Sequence, residues 1–594
     1  MSDHHEESSV VGSYDPQLMR RLLQYVRPHA RTVLLAGLAM LVAAAVELLQ
    51  PWFTQQTIDR YIVRGDLVGL RAISVVFLTL LVVGFLAEYV QTYLLQTTGQ
   101  RIMHTLRMQL YAHLQRVDLS FYDRNPVGRL MTRVTTDVDV LNDLFTTGVI
   151  TVLGDVLVLT GITVAMLLMD WRLALVAFSV LPFIAWVAHW FRTRVRDSYR
   201  QVRGLVARLN AFLQEHLTGI STVQLFNQEA RTLQRFEGIN RRHRDVNITS
   251  IFYYAVFYPL IEILAAVSGA LIIWVGAGRT VRGTLSIGVL VAFLQYSRRF
   301  FQPISELSEK FNILQAAMAA SERIFGLLDT KPTLTQPAEP ARPSADATGP
   351  SGRVAFEHVW FAYSGDQFVL RDVSFVIEPG QRIGIVGATG SGKTTIISLL
   401  LRFYDVTRGR ILVDGIDVRD WDLTALRAMF GLVLQDVHLF SGTIADNIRL
   451  GNASITVADV ERAAKAVHAD GFIAARPGGY ESEVAERGAS LSVGQKQLLS
   501  FARALAFNPA VLLLDEATSS IDTATEALIE EALRVIMAGR TALAIAHRLS
   551  TIQDMDRILV LSHGELRESG THQELVAARG LYYRLYLLQY RDAV

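Results

Sequence analysis

A chain of 594 residues is more than one hydrophobic core organises, so two or more domains are expected. Its formal net charge of +1 offers no electrostatic footprint for a nucleic-acid partner, and the absence of cysteine excludes disulfides, thiol catalysis and cysteine-ligated metals.

Residues 1–14 read as a disordered tail: they are polar and acidic and lack the basic-then-apolar layout of a cleaved signal peptide. Residues 15–328 read as a helical membrane domain. Val33 to Trp52, Ile73 to Tyr93, Val149 to Met169, Leu173 to Trp190 and Ile251 to Val275 are apolar runs near the ~20 residues a helix needs to cross a bilayer. Arginines set the orientation, because loops on the cytoplasmic side retain positive charge. Arg20, Arg21, Arg27 and Arg31 precede the first run, and the stretches Arg101 to Arg133 and Arg192 to Arg244 are rich in arginine. Asp170, Trp171 and Arg172 form a short turn on the opposite side. The amino terminus is therefore expected in the cytoplasm. Five spans would leave the second half of the chain outside, so a sixth is required, and Ile287 to Phe301 is the candidate although Gln295, Arg298 and Arg299 interrupt it.

The segments Leu94 to Asp143 and Phe191 to Ser250 are polar with a helical period, as expected of span helices projecting into the cytosol. Breaks at Phe121 to Gly128 and Phe226 to Glu229 suit either plain turns or short crosswise helices at the tips. Glu47, Glu88, Asp155 and Glu262 fall within apolar runs, where an ionised carboxylate costs at least ~2.5 kcal/mol unless paired or hydrated, so they are expected to face the protein interior. Either some lie near helix ends in water or pair with span arginines and only lock packing, or Glu262, together with Glu88, favours amphipathic cationic solutes.

Asp329 to Arg353, rich in Pro, Ala, Thr and Ser, reads as a linker. Beyond it, from residue 354 to 594, short β-branched runs (Arg382 to Val386, Gly431 to Leu434, Val511 to Leu514, Thr541 to Ile545, Arg557 to Leu561) alternate with helical stretches, the pattern of an α/β domain on a mainly parallel sheet. The fold class is thus multidomain: an all-α six-helix transmembrane domain followed by an α/β P-loop domain.

Gly387-Ala-Thr389-Gly390-Ser391-Gly392-Lys393-Thr394, continued by Thr395, lies between a predicted strand and a predicted helix and fits the phosphate-loop pattern. Glycines let backbone N–H groups wrap phosphate oxygens at a helix N-terminus. Lys393 is expected to reach the β- and γ-phosphates of ATP and the Thr394 hydroxyl to ligate Mg²⁺. Val511 to Leu514 is a buried strand ending in two carboxylates, Asp515 placed to hold Mg²⁺ and Glu516 to act as general base toward the attacking water.

Between these motifs Leu491-Ser492-Val493-Gly494-Gln495 resembles the signature of ABC transporter ATPases, and the surrounding set from about Val354 to Leu588 is similar to that family. The resemblance implies an adenine-stacking aromatic at Tyr363, a Q-loop glutamine at Gln435 that serves metal and water, Glu486-Arg487-Gly488 before the signature, Ser519-Ser520-Ile521-Asp522 as D-loop with Asp522 at the nucleotide, and His547 as switch histidine. The helical half resembles type IV ABC exporters, including Phe121-Tyr122-Asp123 and Gly128 before the first coupling helix; coupling helices are then expected near Thr135 to Asp139 and Gln228 to Phe236. The family implies a head-to-tail dimer in which Ser492, Gly494 and Gln495 complete the partner's ATP site. Val493 departs from the usual glycine, which with intact Walker, Q-loop and switch residues resembles the catalytically complete member of heterodimeric exporters. ATP-driven export of hydrophobic or amphipathic solutes by alternating access is the expected function. An ATP-gated channel or regulatory subunit, and an uptake transporter of the same architecture, are the alternatives; intact Glu516 and His547 weigh against the first.

Overall fold

The computed structural model of the chain describes residues 15–341, 351–515, 523–545 and 552–591. The expected tail 1–14 lies outside them, as does residue span 342–350 of the linker. The chain divides into two compact units: Met1–Gln115 with Val127–Thr330, and Arg116–Pro126 with Lys331–Val594.

The first unit is helical. In chain order the helices are α1 (Pro16–Val26), α2 (Ala30–Gln56), α3 (Leu67–Leu114), α4 (Leu119–Arg124, which belongs to the second unit), α5 (Val127–Val134), α6 (Thr136–Asp143), α7 (Val149–Phe178), α8 (Leu181–Thr218), α9 (Ile220–Leu225), α10 (Glu229–Val281) and α11 (Ile287–Leu328). Among the described residues, Pro16–Ile62, Leu67–Leu114, Val127–Phe178 and Glu229–Val281 are long and apolar enough to cross a membrane. Large apolar side chains such as Leu34, Leu78, Phe85 and Trp274 stand exposed on them, the surface that lipid rather than water accommodates. Long polar extensions, as in α3, α8 and α10, continue the apolar runs without a break, as the period of the sequence requires.

The turn expected at Asp170 to Arg172 is present as a break within α7. Asp170 leaves helical geometry (φ −160°, ψ 104°), and its carboxylate accepts from the Leu173 N–H at 2.9 Å, capping the helix that restarts there. Arg279 of α10 pairs with the same carboxylate at 2.7 Å. A second break at Ser179 and Val180 interrupts the fourth apolar run before α8 resumes it.

The arginine that interrupts the candidate sixth span has a local cause. Pro51 sits inside α2 and has no N–H, so the Glu47 carbonyl loses its helical donor. Arg299 of α11 donates Nη1 to that carbonyl at 2.6 Å and Nη2 to Gln50 Oε1, while Tyr296 donates its hydroxyl to the Leu48 carbonyl at 2.6 Å. A proline in one helix thus explains a charge in another. Of the four acids in apolar runs, Asp155 pairs with Lys310 and Glu47 is half-buried within electrostatic reach of Arg299, Asp155 and Glu88. Glu88 and Glu262 are exposed on the single subunit.

The expected tip elements also shift. Near the expected coupling helix at Thr135 to Asp139, Thr136 begins α6, whose Asp137 is bound by Arg323 of α11 at 2.6 and 2.9 Å. The short helices are α4 and α9, and the break at Phe226 to Gln228 is a turn with Asn227 in the left-handed region (φ 50°) just before α10.

In the second unit six strands form one sheet in the order Glu565–Gly570, Arg557–Ser562, Arg382–Val386, Thr541–Ile545, Val511–Asp515, Phe430–Val433. All neighbours are parallel except the first pair. The parallel strands are buried nearly throughout, as strands covered on both faces must be. A second, antiparallel sheet, in the order Leu370–Ile377, Val354–Phe361, Arg408–Val413, Ile416–Asp417, was not anticipated.

Candidate nucleotide site

Strand register brings the chemistry to one edge. Ile385 lies opposite Ile545, Ile545 opposite Asp515, and Leu514 opposite Val433, all in parallel pairs. The loop starting at Gly387, the carboxylate of Asp515 and the exposed Gln435 therefore leave the sheet at the carboxyl ends of neighbouring strands, where α/β sheets bind ligands. Glu516, Asp522 with the rest of Ser519-Ser520-Ile521, and His547 lie outside the described residues.

The loop is built for close backbone approach. A Cβ at Gly387 would stand 2.2 Å from the Leu561 carbonyl oxygen, and one at Gly392 (φ 100°) 2.6 Å from Leu370 Cδ2. Lys393 opens the helix Lys393–Leu400; buried, it donates Nζ to the Gly387 and Ala388 carbonyls at 2.8 and 3.0 Å. Burial pushes the Lys393 ammonium below its ordinary pKa, and the nearby Asp515 carboxylate opposes this. The Ser391 Oγ is buried with no hydrogen-bond partner among the described residues. A cradle closed to a Cβ, an orphaned hydroxyl and a lysine folded onto its own loop fit a polyphosphate. Exposed Thr394 and Gln435 and half-buried Asp515 are hard oxygen donors, the set that suits Mg²⁺. Thr389 and Gly390 form the loop's outer turn, with Gly390 at φ 80° and nothing within 4 Å of where a Cβ would stand.

Tyr363 stands beside this loop. Its hydroxyl lies 3.1 Å from the Oγ1 of buried Thr395, and its side chain remains 47% exposed, enough to offer a face to a base. Phe361 and Tyr404 meet its ring edge-on at centroid distances of 4.8 and 5.1 Å.

Tyr404 was missed by sequence reasoning, as was Arg402. Arg402, 2% exposed, donates to Asp405 at 2.9 Å and to the Thr335 carbonyl at 2.8 Å. Tyr404 donates its hydroxyl to Asp123 of α4, and burial together with that carboxylate raises its pKa. In the same segment Asp118, buried, accepts from the Thr333 hydroxyl at 2.6 Å and the Leu334 N–H at 3.2 Å. An arginine followed three residues on by an acid, in the run Arg402-Phe403-Tyr404-Asp405, was the available signal.

The signature residues form a separate element. Ser492 caps the helix Val493–Ala506: its Oγ accepts from the Gln495 N–H at 3.2 Å, and Gln495 Oε1 accepts from the Ser492 N–H at 3.1 Å. Gly494 is buried, whereas Val493 is 55% exposed at the helix start. Before it, Arg487 is held at φ 54° while its carbonyl accepts from Lys496 Nζ at 3.0 Å.

Membrane-length helices joined to a phosphate loop, an acid-tipped strand and a Q-loop position at one sheet edge define a membrane-bound phosphate-loop ATPase. The family profile for the ABC transporter transmembrane region matches residues 33–304 and that for the ABC transporter matches residues 370–519. An uncharacterized ABC transporter ATP-binding protein, YknV, of Bacillus subtilis is 40% identical over 97% of this chain and 95% of its own length. A probable multidrug resistance ABC transporter ATP-binding/permease protein, YheH, of the same organism is 39% identical over 86% of this chain and 75% of its own. The solved structure of a bacterial Atm1-family ABC exporter with ATP bound superposes with a TM-score of 0.74 at 30% identity, covering 94% of this chain and 98% of that one. The chain belongs to the ABC transporter family: it is an ATP-hydrolysing exporter half-transporter with its helical transmembrane domain fused to its ATPase domain, of a kind that acts as a dimer.

Proposed function

We propose that this subunit exports hydrophobic or amphipathic solutes, such as drugs, lipids or peptides, from the cytoplasmic side of the membrane, with its amino terminus and ATPase domain in the cytoplasm. The observation that carries the catalytic part is the shared strand edge from which the Gly387 loop, Asp515 and Gln435 emerge. The YheH relative, a probable multidrug resistance ABC transporter ATP-binding/permease protein, supports the solute class.

Lys393 holds the β- and γ-phosphates, and the loop from Gly387 through Thr395 supplies N–H groups and hydroxyls to them. Tyr363 stacks on adenine. Thr394, Asp515 and Gln435 hold Mg²⁺, which when bound neutralises the developing phosphoryl charge. Glu516 takes the proton from water and His547 orients the γ-phosphate, while Asp522 stands at the dimer seam. Residues 15–328 are the six-span domain, 329–353 the linker and 354–594 the ATPase domain. Glu516→Gln keeps shape without basicity, so ATP binding should persist while turnover falls by about 100- to 10,000-fold. Near-normal hydrolysis by that variant, with contaminating ATPase excluded, would sink the assignment.

The working unit is a heterodimer. Val493 presents a β-branched side chain at the helix N-terminus that serves the partner's phosphate, where close backbone approach is needed. The partner subunit should carry an intact signature and a compromised base, leaving this chain's own Walker residues at the productive site. Native mass spectrometry of the complex purified after co-expression with the neighbouring reading frame tests this; a fully active homodimer of this chain would refute it.

A further inference from the structure

The aromatic cluster at the nucleotide site does not end at Tyr363. Thr395 of the phosphate-loop helix contacts the Tyr363 hydroxyl at 3.1 Å, the Tyr363 ring meets Tyr404 at 5.1 Å with an interplanar angle of 88°, and the Tyr404 hydroxyl donates to Asp123 of α4. Phe361 backs both tyrosines, at 4.8 Å from Tyr363 and 5.7 Å from Tyr404. Tyr404 itself is fixed from behind. Its neighbour Arg402 is buried and bound to Asp405 and to the Thr335 carbonyl, and Arg427 lies over the Phe403 ring at 5.1 Å.

Each link in this run has one fixed end. Thr395 is buried in the helix that starts at Lys393, so its hydroxyl has little freedom, and the Tyr363 ring can swing only about its own side-chain bonds. The edge of Tyr404 limits that swing from one side. Asp123 in turn limits where Tyr404 can stand, through a hydrogen bond between a phenol donor and a carboxylate acceptor, which is the stronger kind. We propose that Tyr404 is a positioning residue for nucleotide binding: it sets the pose of the adenine-stacking Tyr363 and ties that pose to Asp123 in the chain segment between α3 and α5. The proposal rests on the reading that Tyr363 stacks on adenine. Tyr404 acts on nucleotide binding through the Tyr363 ring and on the segment between α3 and α5 through Asp123.

The two functions of Tyr404 separate by substitution, because the ring serves Tyr363 and the hydroxyl serves Asp123. The experiment measures ATPase activity of the reconstituted full-length transporter against ATP concentration, with and without a transported drug. Tyr404→Leu, which removes the ring, should raise KM for ATP by about two- to tenfold, the worth of one aromatic pair, while kcat at saturating ATP stays within twofold. Tyr404→Phe should bring KM back, as a merely volumetric role would also allow with leucine. Tyr404→Phe and Asp123→Ala should each cut the drug-stimulated increment, and the double variant should cut it no further than either single one. Tyr363→Leu is the reference. If it raises KM and Tyr404→Leu does not, Tyr404 is no positioning residue; if neither moves KM, the adenine reading of Tyr363 fails and takes this proposal with it. A Tyr404→Leu variant that loses kcat with KM unchanged, or additive losses from Tyr404→Phe and Asp123→Ala, would also overturn it.

Discussion

Replacing Arg299 with methionine keeps a long apolar stem but removes both N–H groups that reach α2, leaving the Glu47 carbonyl, already deprived of its helical donor by Pro51, with no partner among the described residues. Hydrogen bonds from charged donors contribute about 1.5–3 kcal/mol in soluble proteins. Polar contacts within membrane bundles measure lower, near ~0.6 kcal/mol and up to ~1.7, because the unfolded chain in lipid also finds partners. The lower scale applies here, so two lost bonds should cost about 1–3 kcal/mol. Pro51→Ala supplies the missing N–H to Glu47. In that background Arg299→Met should cost only the Gln50 bond, roughly half as much. The assay is a double-mutant cycle on thermal unfolding in detergent, followed by near-ultraviolet circular dichroism, with coupling read against the ~0.3–0.5 kcal/mol scatter expected of independent sites. Additive effects, or a neutral Arg299→Met, would refute the link between the proline and the arginine.

Two further outcomes test local geometry in the ATPase unit. Gly387→Ala places a Cβ 2.2 Å from the Leu561 carbonyl oxygen and should abolish nucleotide binding, whereas Gly390→Ala meets open space and should cost only the left-handed backbone strain of about 1–2 kcal/mol; fluorescent-ATP titration and melting of both variants decide this, and equal behaviour would contradict it. Ser492→Ala removes the cap of the signature helix and should lower stability by about 0.5–2 kcal/mol, with Ser492→Gly losing only a few tenths, as measured by chemical unfolding of the ATPase transition.

The parts of the fold that the sequence made legible are those where one pattern serves one purpose. The five strands of the parallel sheet were found within a residue because burial on both faces leaves continuous apolar runs, and the phosphate loop was found because its glycines answer to backbone geometry alone. The antiparallel sheet escaped because Val354–Phe361 and Leu370–Ile377 mix buried and exposed positions around register shifts, which blurs the period-2 signal. The bounds of the tip elements were missed for a different reason. α4 and α9 span six residues each, too short to show a helical period, and what sets α4 apart is not local: Asp118 and Asp123 are held by residues more than 200 positions away in the chain.

Arg299 and Tyr404 share that property. Read along the chain, Arg299 counts against a membrane span, and only the carbonyl freed by Pro51 turns it into a requirement. Tyr404 reads as an aromatic in a loop, and only the Tyr363 ring on one side and the Asp123 carboxylate on the other give it a function. In both cases a polar group in an unfavourable local context is satisfied by a partner remote in sequence, because a buried donor or acceptor must be paired somewhere and the folded chain brings the partner to it. A charge or hydroxyl that breaks a local pattern in this chain is therefore better treated as half of an undiscovered pair than as evidence against the element that contains it. That rule applies next to Glu88 and Glu262, the two acids in apolar runs that stand exposed on the single subunit. Both lie where lipid, water or a second subunit must meet them, and an ionised carboxylate facing lipid is the most costly of the three.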